Sequence, residues 1–209
     1  MMDGIIFDVD GTLWNSTEAV AESWNQAISE HSDLELRIDG AMLKNLFGMP
    51  MDELYNALFP ELSKEEQIRL GTICFEYENK LLETKPGVLY DGVKETLEIL
   101  SKRIPLFIVS NCQCGYIEVL LKTTGLGTYI QDHLCFGDTH TSKGQTILKL
   151  MERNGLKDAV YVGDTLGDSQ ACAEAGIPFI FAEYGFGDVP DAKTRISCIS
   201  ELISLFDKE

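Results

Sequence analysis

Ile5-Ile6-Phe7-Asp8-Val9-Asp10-Gly11-Thr12 decides how the rest of the chain is read. Three apolar residues run straight into two carboxylates, a glycine and a hydroxyl. The apolar run is too short for a helix and predicts a fully buried strand. Asp8 and Asp10 then stand at or just past its carboxyl end, where open α/β sheets hold their ligands. Residues two apart on a strand share a face, so both side chains converge on one small object. Carboxylates that close need a cation, a shared proton or good solvation. A strand followed by an ordinary Asp-Gly turn accounts for the same residues. The remainder of the chain has to decide between turn and site.

Outward from this stretch the pattern changes twice. Residues from about 15 to 83 predict helices only, with no strand among them. Asn15 with Glu18 reads as a capping pair, and Val20, Trp24, Ala27 and Ile28 mark one helical face. Asp39 caps a second predicted helix, which stops at Gly48. A short third helix carries Leu54, Tyr55 and Leu58, and Ser63 with Glu66 forms a capping box for a long fourth. After the break at Lys85-Pro86-Gly87, helices alternate with short apolar runs: Leu106 to Ser110, Leu134 to Phe136, Ala159 to Val162 and Phe179 to Phe181. Such alternation predicts an α/β fold, a parallel sheet covered by helices on both faces. The helical block is then an insert between the first strand and the rest. The expected division is a core of residues 1–14 and 85–209 and a helical domain of residues 15–84.

Composition narrows the classes. A chain of 209 residues with 44% hydrophobic and 24% charged content buries an ordinary globular core. No apolar stretch approaches the length of a membrane helix. No signal peptide is evident, so the expected compartment is the cytoplasm. The net charge of −17, from 17 basic and 34 acidic residues, argues against nucleic acid and anionic membranes as partners. It also repels an anionic substrate, so a phosphate site would need local positive charge. The six cysteines read as reduced packing residues; Cys112-Gln113-Cys114 lacks the spacing of a zinc pair, and no second pair answers it. A monomer or weak homodimer is expected.

Polar residues recur at the strand ends. Asp8 and Asp10 follow the first strand, Ser110-Asn111 the second, and Gly163-Asp164-Thr165 the fourth, with Asp168 beyond. Lys143 begins the helix between the third and fourth strands. In a parallel sheet all these ends share one edge. Strand-to-helix turns and N-caps favour Ser, Asn, Asp and Thr in any case, which explains each motif singly. It does not explain carboxylates on two strands, Ser-Asn on a third and a lysine between.

The joint set resembles the four motifs of the haloacid dehalogenase superfamily: Asp8-Val9-Asp10-Gly11-Thr12, Ser110-Asn111, Lys143, and Gly163-Asp164-Thr165-Leu166-Gly167-Asp168. The helical insert after the first motif resembles the cap of the phosphoglycolate phosphatase-like branch. The resemblance implies a Rossmann-like core, and hydrolysis of a small phosphorylated metabolite, nominally phosphoglycolate. It also implies Mg²⁺, held by Asp8, Asp164 and the main-chain oxygen of Asp10; such a hard cation prefers oxygen ligands. Asp8 is the expected nucleophile and Asp10 the expected acid and base. Ser110, Asn111 and Lys143 would bind the phosphoryl oxygens. Thr12 is expected to fix Asp10, and Asp168 to hold Lys143 or metal-bound water. Rival readings are a sugar-phosphate phosphotransferase, a phospho-accepting signalling domain, and a binding protein without turnover. For substrate selection the candidates are Trp14, Asn15, Trp24, Lys44 and Gly48. Of these, Lys44 suits an acidic leaving group, while Trp24 also reads as core and Lys44 as a solvated helix lysine. Tyr184-Gly185-Phe186-Gly187 reads as a rim near the site or as a plain surface loop.

Overall fold

The computed structural model describes residues 2–207. A central parallel sheet is formed by β1 (Gly4–Phe7), β4 (Leu106–Ser110), β5 (Ile130–Cys135), β6 (Ala159–Gly163), β7 (Phe179–Ala182) and β8 (Arg195–Ile196), in the order β5-β4-β1-β6-β7-β8. All its pairings are parallel. β1 lies centrally, with Phe7 opposite Ile108 on one side and Val162 on the other. Every residue of β1, β4 and β6 is buried, because helices cover both faces.

Alternation divides these strands between two apolar layers. Ile5, Phe7, Leu106, Ile108, Val160 and Val162 face one layer. Ile6, Phe107, Val109, Ala159 and Tyr161 face the other, against α8 (Lys143–Asn154) and α9 (Leu166–Ala175). The first layer continues through α5 (Val93–Leu100) and α6 (Tyr116–Thr124) into the helical region. A short α7 (Phe136–Thr139) follows β5, and α10 (Glu201–Phe206) closes the described chain.

An all-helical cap region stands between β1 and α5. It comprises α1 (Thr17–His31), α2 (Gly40–Leu46), α3 (Met51–Leu58) and α4 (Lys64–Leu82). Asp39 caps α2 through Met42 N at 2.8 Å, and Ser63 with Glu66 forms the capping box of α4. Two short strands, β2 (Trp14–Asn15) and β3 (Val88–Leu89), pair antiparallel where the chain leaves and re-enters the core. Among the described residues, no helix is long and apolar enough to cross a membrane.

The structure corrects several boundaries. Asn15 is a strand residue rather than the N-cap of α1; its Oδ1 accepts from Thr17 N and Thr17 Oγ1, and the helix begins at Thr17. The segment expected to be wholly helical therefore starts with a strand residue, held by pairing to a stretch more than seventy residues away in the chain. α2 ends at Leu46, before Gly48. β5 starts at Ile130, and Phe136 belongs to the next helix. As an edge strand β5 needs burial on fewer sides, so Gln131 and Asp132 hide it from an apolar scan. β8 is too short for any pattern to announce.

Candidate active site

The carboxyl edge of the sheet gathers the polar strand ends. Asp8 follows β1 and Asp164 follows β6, and both are buried. Lys143, the first residue of α8, is buried with them. Its Nζ donates to Asp8 Oδ1 at 2.8 Å and to Asp168 Oδ1 at 2.6 Å. Asp168 is fixed independently. Its Oδ2 accepts from Thr165 N at 3.0 Å, Thr165 Oγ1 at 2.7 Å and Asp164 N at 3.2 Å. This is the capping box of α9, so one carboxylate both starts a helix and anchors the lysine. Of the two roles expected for Asp168, the geometry gives it the lysine.

Thr12 departs from expectation. Its hydroxyl donates to Asp164 Oδ1 at 3.4 Å, not to Asp10. The second oxygen of Asp164 accepts from Phe186 N at 2.7 Å, while the Tyr184 hydroxyl donates to Thr12 O at 2.9 Å. The Tyr184–Gly187 loop is therefore part of the site's wall. Two glycines allow this close approach. A Cβ on Gly11, at φ +81°, would stand 2.0 Å from Asp164 Oδ2, and one on Gly185 would stand 2.2 Å from Asp164 Cβ.

Asp10 is half-buried, and three donors converge on its Oδ1. They are Trp14 Nε1 at 3.1 Å, Ser16 Oγ at 2.8 Å and the Tyr116 hydroxyl at 2.7 Å. Of these donors, only Trp14 was a sequence candidate. Ser16 follows β2, and Tyr116 opens α6, just past the Ser110-Asn111 motif. Tyr161, whose hydroxyl donates to Val109 O at 2.7 Å and lies 3.3 Å from Asp8 Oδ1, was also missed.

Burial dominates the electrostatics. It pushes the Asp8 carboxyl up to about 6 against the opposing pull of Lys143. It pushes Asp10 up to about 7, against the hydrogen bonds from Tyr116 and Ser16. Asp164 rises to about 8 through burial, then through repulsion from Asp168 and Asp8. Burial disfavours the Lys143 ammonium, but Asp168 and Asp8 outweigh it and hold the proton well above the ordinary lysine range.

Oxygen atoms of Asp8, Asp164 and Asp168 lie within 4.8 Å of one another. One ammonium against these three carboxylates leaves two negative charges when all are ionised. A hard dication fits that balance and that all-oxygen donor set. With both Asp168 oxygens committed, one to Lys143 and the other to the helix cap, Asp8 and Asp164 are the carboxylates better able to hold it.

Two spaces open onto these groups. A small inner cavity is lined by Asp8, Asp10, Ser110 and Asn111 on the core side. Trp24, Phe75 and Glu78 are among its cap residues. A wider outer cleft is reached from Lys143 and Asn111 and contains Lys44. Lys44 Nζ lies 5.9 Å from the centre of the Phe186 ring. The structure thus puts Lys44 in the outer cleft and does not bring it to the cavity that holds Asp8 and Asp10. Asn111 ties cap to core, its Nδ2 donating to Gly48 O at 3.0 Å. Trp24 is both core and cavity wall. The thiols also gather more than their spacing suggests: Cys114 Sγ and Cys135 Sγ donate to opposite oxygens of Asp138, at 3.5 and 3.1 Å.

A parallel sheet with paired carboxylates, a buried lysine and a helical cap defines a class of hydrolase. The chain belongs to the family described as haloacid dehalogenase-like hydrolase, which it matches over residues 5–182. It is 29% identical to a phosphoglycolate phosphatase of Aquifex aeolicus, over 97% of this chain and 96% of that one. Another phosphoglycolate phosphatase, from Agrobacterium fabrum, is 29% identical over 88% of this chain and 82% of its own length. Among solved structures, a predicted phosphatase from Clostridium acetobutylicum superposes with a TM-score of 0.82 at 20% identity, covering both chains completely.

Proposed function

We propose that the protein is a Mg²⁺-dependent phosphatase of small phosphorylated metabolites, working through an aspartyl-phosphate on Asp8. The observation that carries this reading is the gathering of Asp8, Asp164 and Asp168 around one buried lysine. Asp8, Asp164 and the main-chain oxygen of Asp10 would hold Mg²⁺, which would supply charge neutralisation to the phosphoryl group. The core, residues 1–14 and 85–209, carries the chemistry, and residues 15–84 form the cap that closes over the leaving group.

Lys143, Ser110 and Asn111 bind the phosphoryl oxygens and hold phosphorus in line with Asp8. Asp8 attacks phosphorus as the ester oxygen departs. Asp10 gives that oxygen its proton. Three donors occupy Oδ1 of Asp10, which leaves Oδ2 to carry the proton, and an acid raised to about 7 holds it near neutral pH. In the second step the Asp10 carboxylate takes a proton from water, which attacks phosphorus and frees Asp8. Asp168 keeps Lys143 in place throughout, and Trp14, Ser16 and Tyr116 orient Asp10.

Phosphoglycolate is the nominal substrate on the strength of the relatives' names; the chemistry of the inner cavity points elsewhere. Mg²⁺-dependent release of phosphate from a generic aryl phosphate tests the reading. Release should stop on chelation and in Asp8→Asn. Undiminished turnover in that variant would overturn it.

A further inference from the structure

The inner cavity has a polar floor and an unusual roof. Its floor is Asp8 and Asp10, so a leaving group that takes a proton from Asp10 departs into this space. Its roof comes from the cap and is largely apolar, with Trp24 and Phe75 packed edge to face at 5.7 Å between ring centres. Among the described residues, no lysine, arginine or histidine lines it. The cations near the site, Lys44 and Lys143 among them, open onto the outer cleft.

One ionisable group interrupts that roof. Glu78 of α4 is 3% exposed and is held from both sides. Trp24 Nε1 donates to Oε2 at 2.5 Å and Gln113 Nε2 to Oε1 at 3.1 Å. Gln113 also donates to Asn79 Oδ1 at 3.0 Å and sits three residues past Ser110, so the clasp joins the cap to the phosphate-binding loop. Burying a carboxyl in an apolar wall is costly. Each carboxyl oxygen accepts one protein hydrogen bond and keeps capacity for a second.

We propose that Glu78 is a specificity-determining residue that hydrogen-bonds a hydroxyl of the leaving alcohol, so that the substrate is the phosphate ester of a small uncharged polyol. This inference rests on the phosphatase reading above. A carboxylate on the leaving group, as in phosphoglycolate, would enter a cavity whose roof is largely apolar and, among the described residues, carries no lysine, arginine or histidine. Its desolvation would be met only by neutral donors such as Ser110 and Gln113, with no cationic side chain among the described lining residues. An uncharged hydroxyl donates to Glu78 while the carbon chain lies against Trp24 and Phe75.

The experiment is a comparison of kcat/KM for glycerol 3-phosphate, 2-phosphoglycolate and phosphoethanolamine, with Mg²⁺ and the wild-type protein. Glycerol 3-phosphate should exceed phosphoglycolate at least about tenfold, since a site built around a hydrogen bond rejects ligands that cannot make it. In Glu78→Gln the ratio of the two should shrink at least about threefold, whatever happens to absolute rates. Preference for phosphoglycolate, preference for phosphoethanolamine, or an unchanged ratio in Glu78→Gln would each overturn the assignment. The wild-type ratio alone decides if that variant does not fold. Failure of the phosphatase reading looks different: no ester, the aryl phosphate included, would then be hydrolysed in a manner that depends on Asp8.

Discussion

The two ends of the site are built on opposite plans. At the phosphoryl end, side chains from several strand ends and the start of α8 converge, and many are committed to one another: Lys143 to two carboxylates, Asp168 to a helix cap, Asp164 to a hydroxyl and a backbone N–H. At the leaving-group end, the cap contributes aromatic and aliphatic surface with a single buried carboxyl. The first end is tied to backbone geometry at the sheet edge, where displacing one residue disturbs its partners. The second hangs on helices joined to the core by the short β2–β3 pair, where side chains can change without touching the reacting atoms. On the proposed reading, reaction type and substrate choice are therefore separable in this molecule.

Substitutions at the two ends should differ accordingly. Asp8→Asn should lower turnover by at least about 10⁴-fold, read as phosphate release at saturating substrate. Lys143→Met should also abolish useful activity, and it leaves Asp8 and Asp168 buried without their cation. Breaking a buried pair in this way costs ~3–5 kcal/mol, measurable by denaturant unfolding without Mg²⁺. Tyr116→Phe should be milder, about tenfold in kcat. The Tyr116 hydrogen bond lowers the Asp10 carboxyl, so its loss should move the corresponding limb of the pH–rate profile above about 7. A profile that stays in place would detach Tyr116 from Asp10.

At the cap end the effects are on stability and its pH dependence. Burial pushes the Glu78 carboxyl up to about 8 from an ordinary 4.5. Between those values the native protein holds a proton that the unfolded chain has lost, so this group's contribution declines as pH rises through the window. Glutamine does not titrate. The melting temperature of Glu78→Gln should therefore gain on wild type by more than about 2 °C between pH 5 and pH 8. A constant difference would mean that the carboxyl ionises normally. Smallest of all, Asp39→Ala removes the cap of α2 and should cost ~1 kcal/mol by thermal unfolding.

The legibility of the sequence follows the same division. The buried strands announce themselves because both faces need apolar residues; Asp8 and Asp164 stand just past their ends, and Lys143 opens α8. Asp39 and Ser63 are readable because capping is local. Trp14, Ser16 and Tyr116 meet on Asp10 through tertiary packing, and Tyr116 lies 106 residues from its partner. Glu78 looks like one more acidic residue of a charged helix until α1 is packed against α4. Its only sequence signal is its spacing in α4 from Cys74 and Leu82, both buried, which puts it on the inward face. Lys44 shows the opposite case: its charge suits an acidic ligand, and its place on α2 puts it in the outer cleft that Lys143 and Asn111 also line, a placement that no local pattern announces.

The most direct measurement is acid quench during turnover of an aryl phosphate with Mg²⁺, followed by peptide mass spectrometry. The account predicts a phosphoryl group on the peptide that contains Asp8, labile to hydroxylamine and absent in Asp8→Asn. Phosphorylation of a different residue, or full turnover by Asp8→Asn, would contradict it.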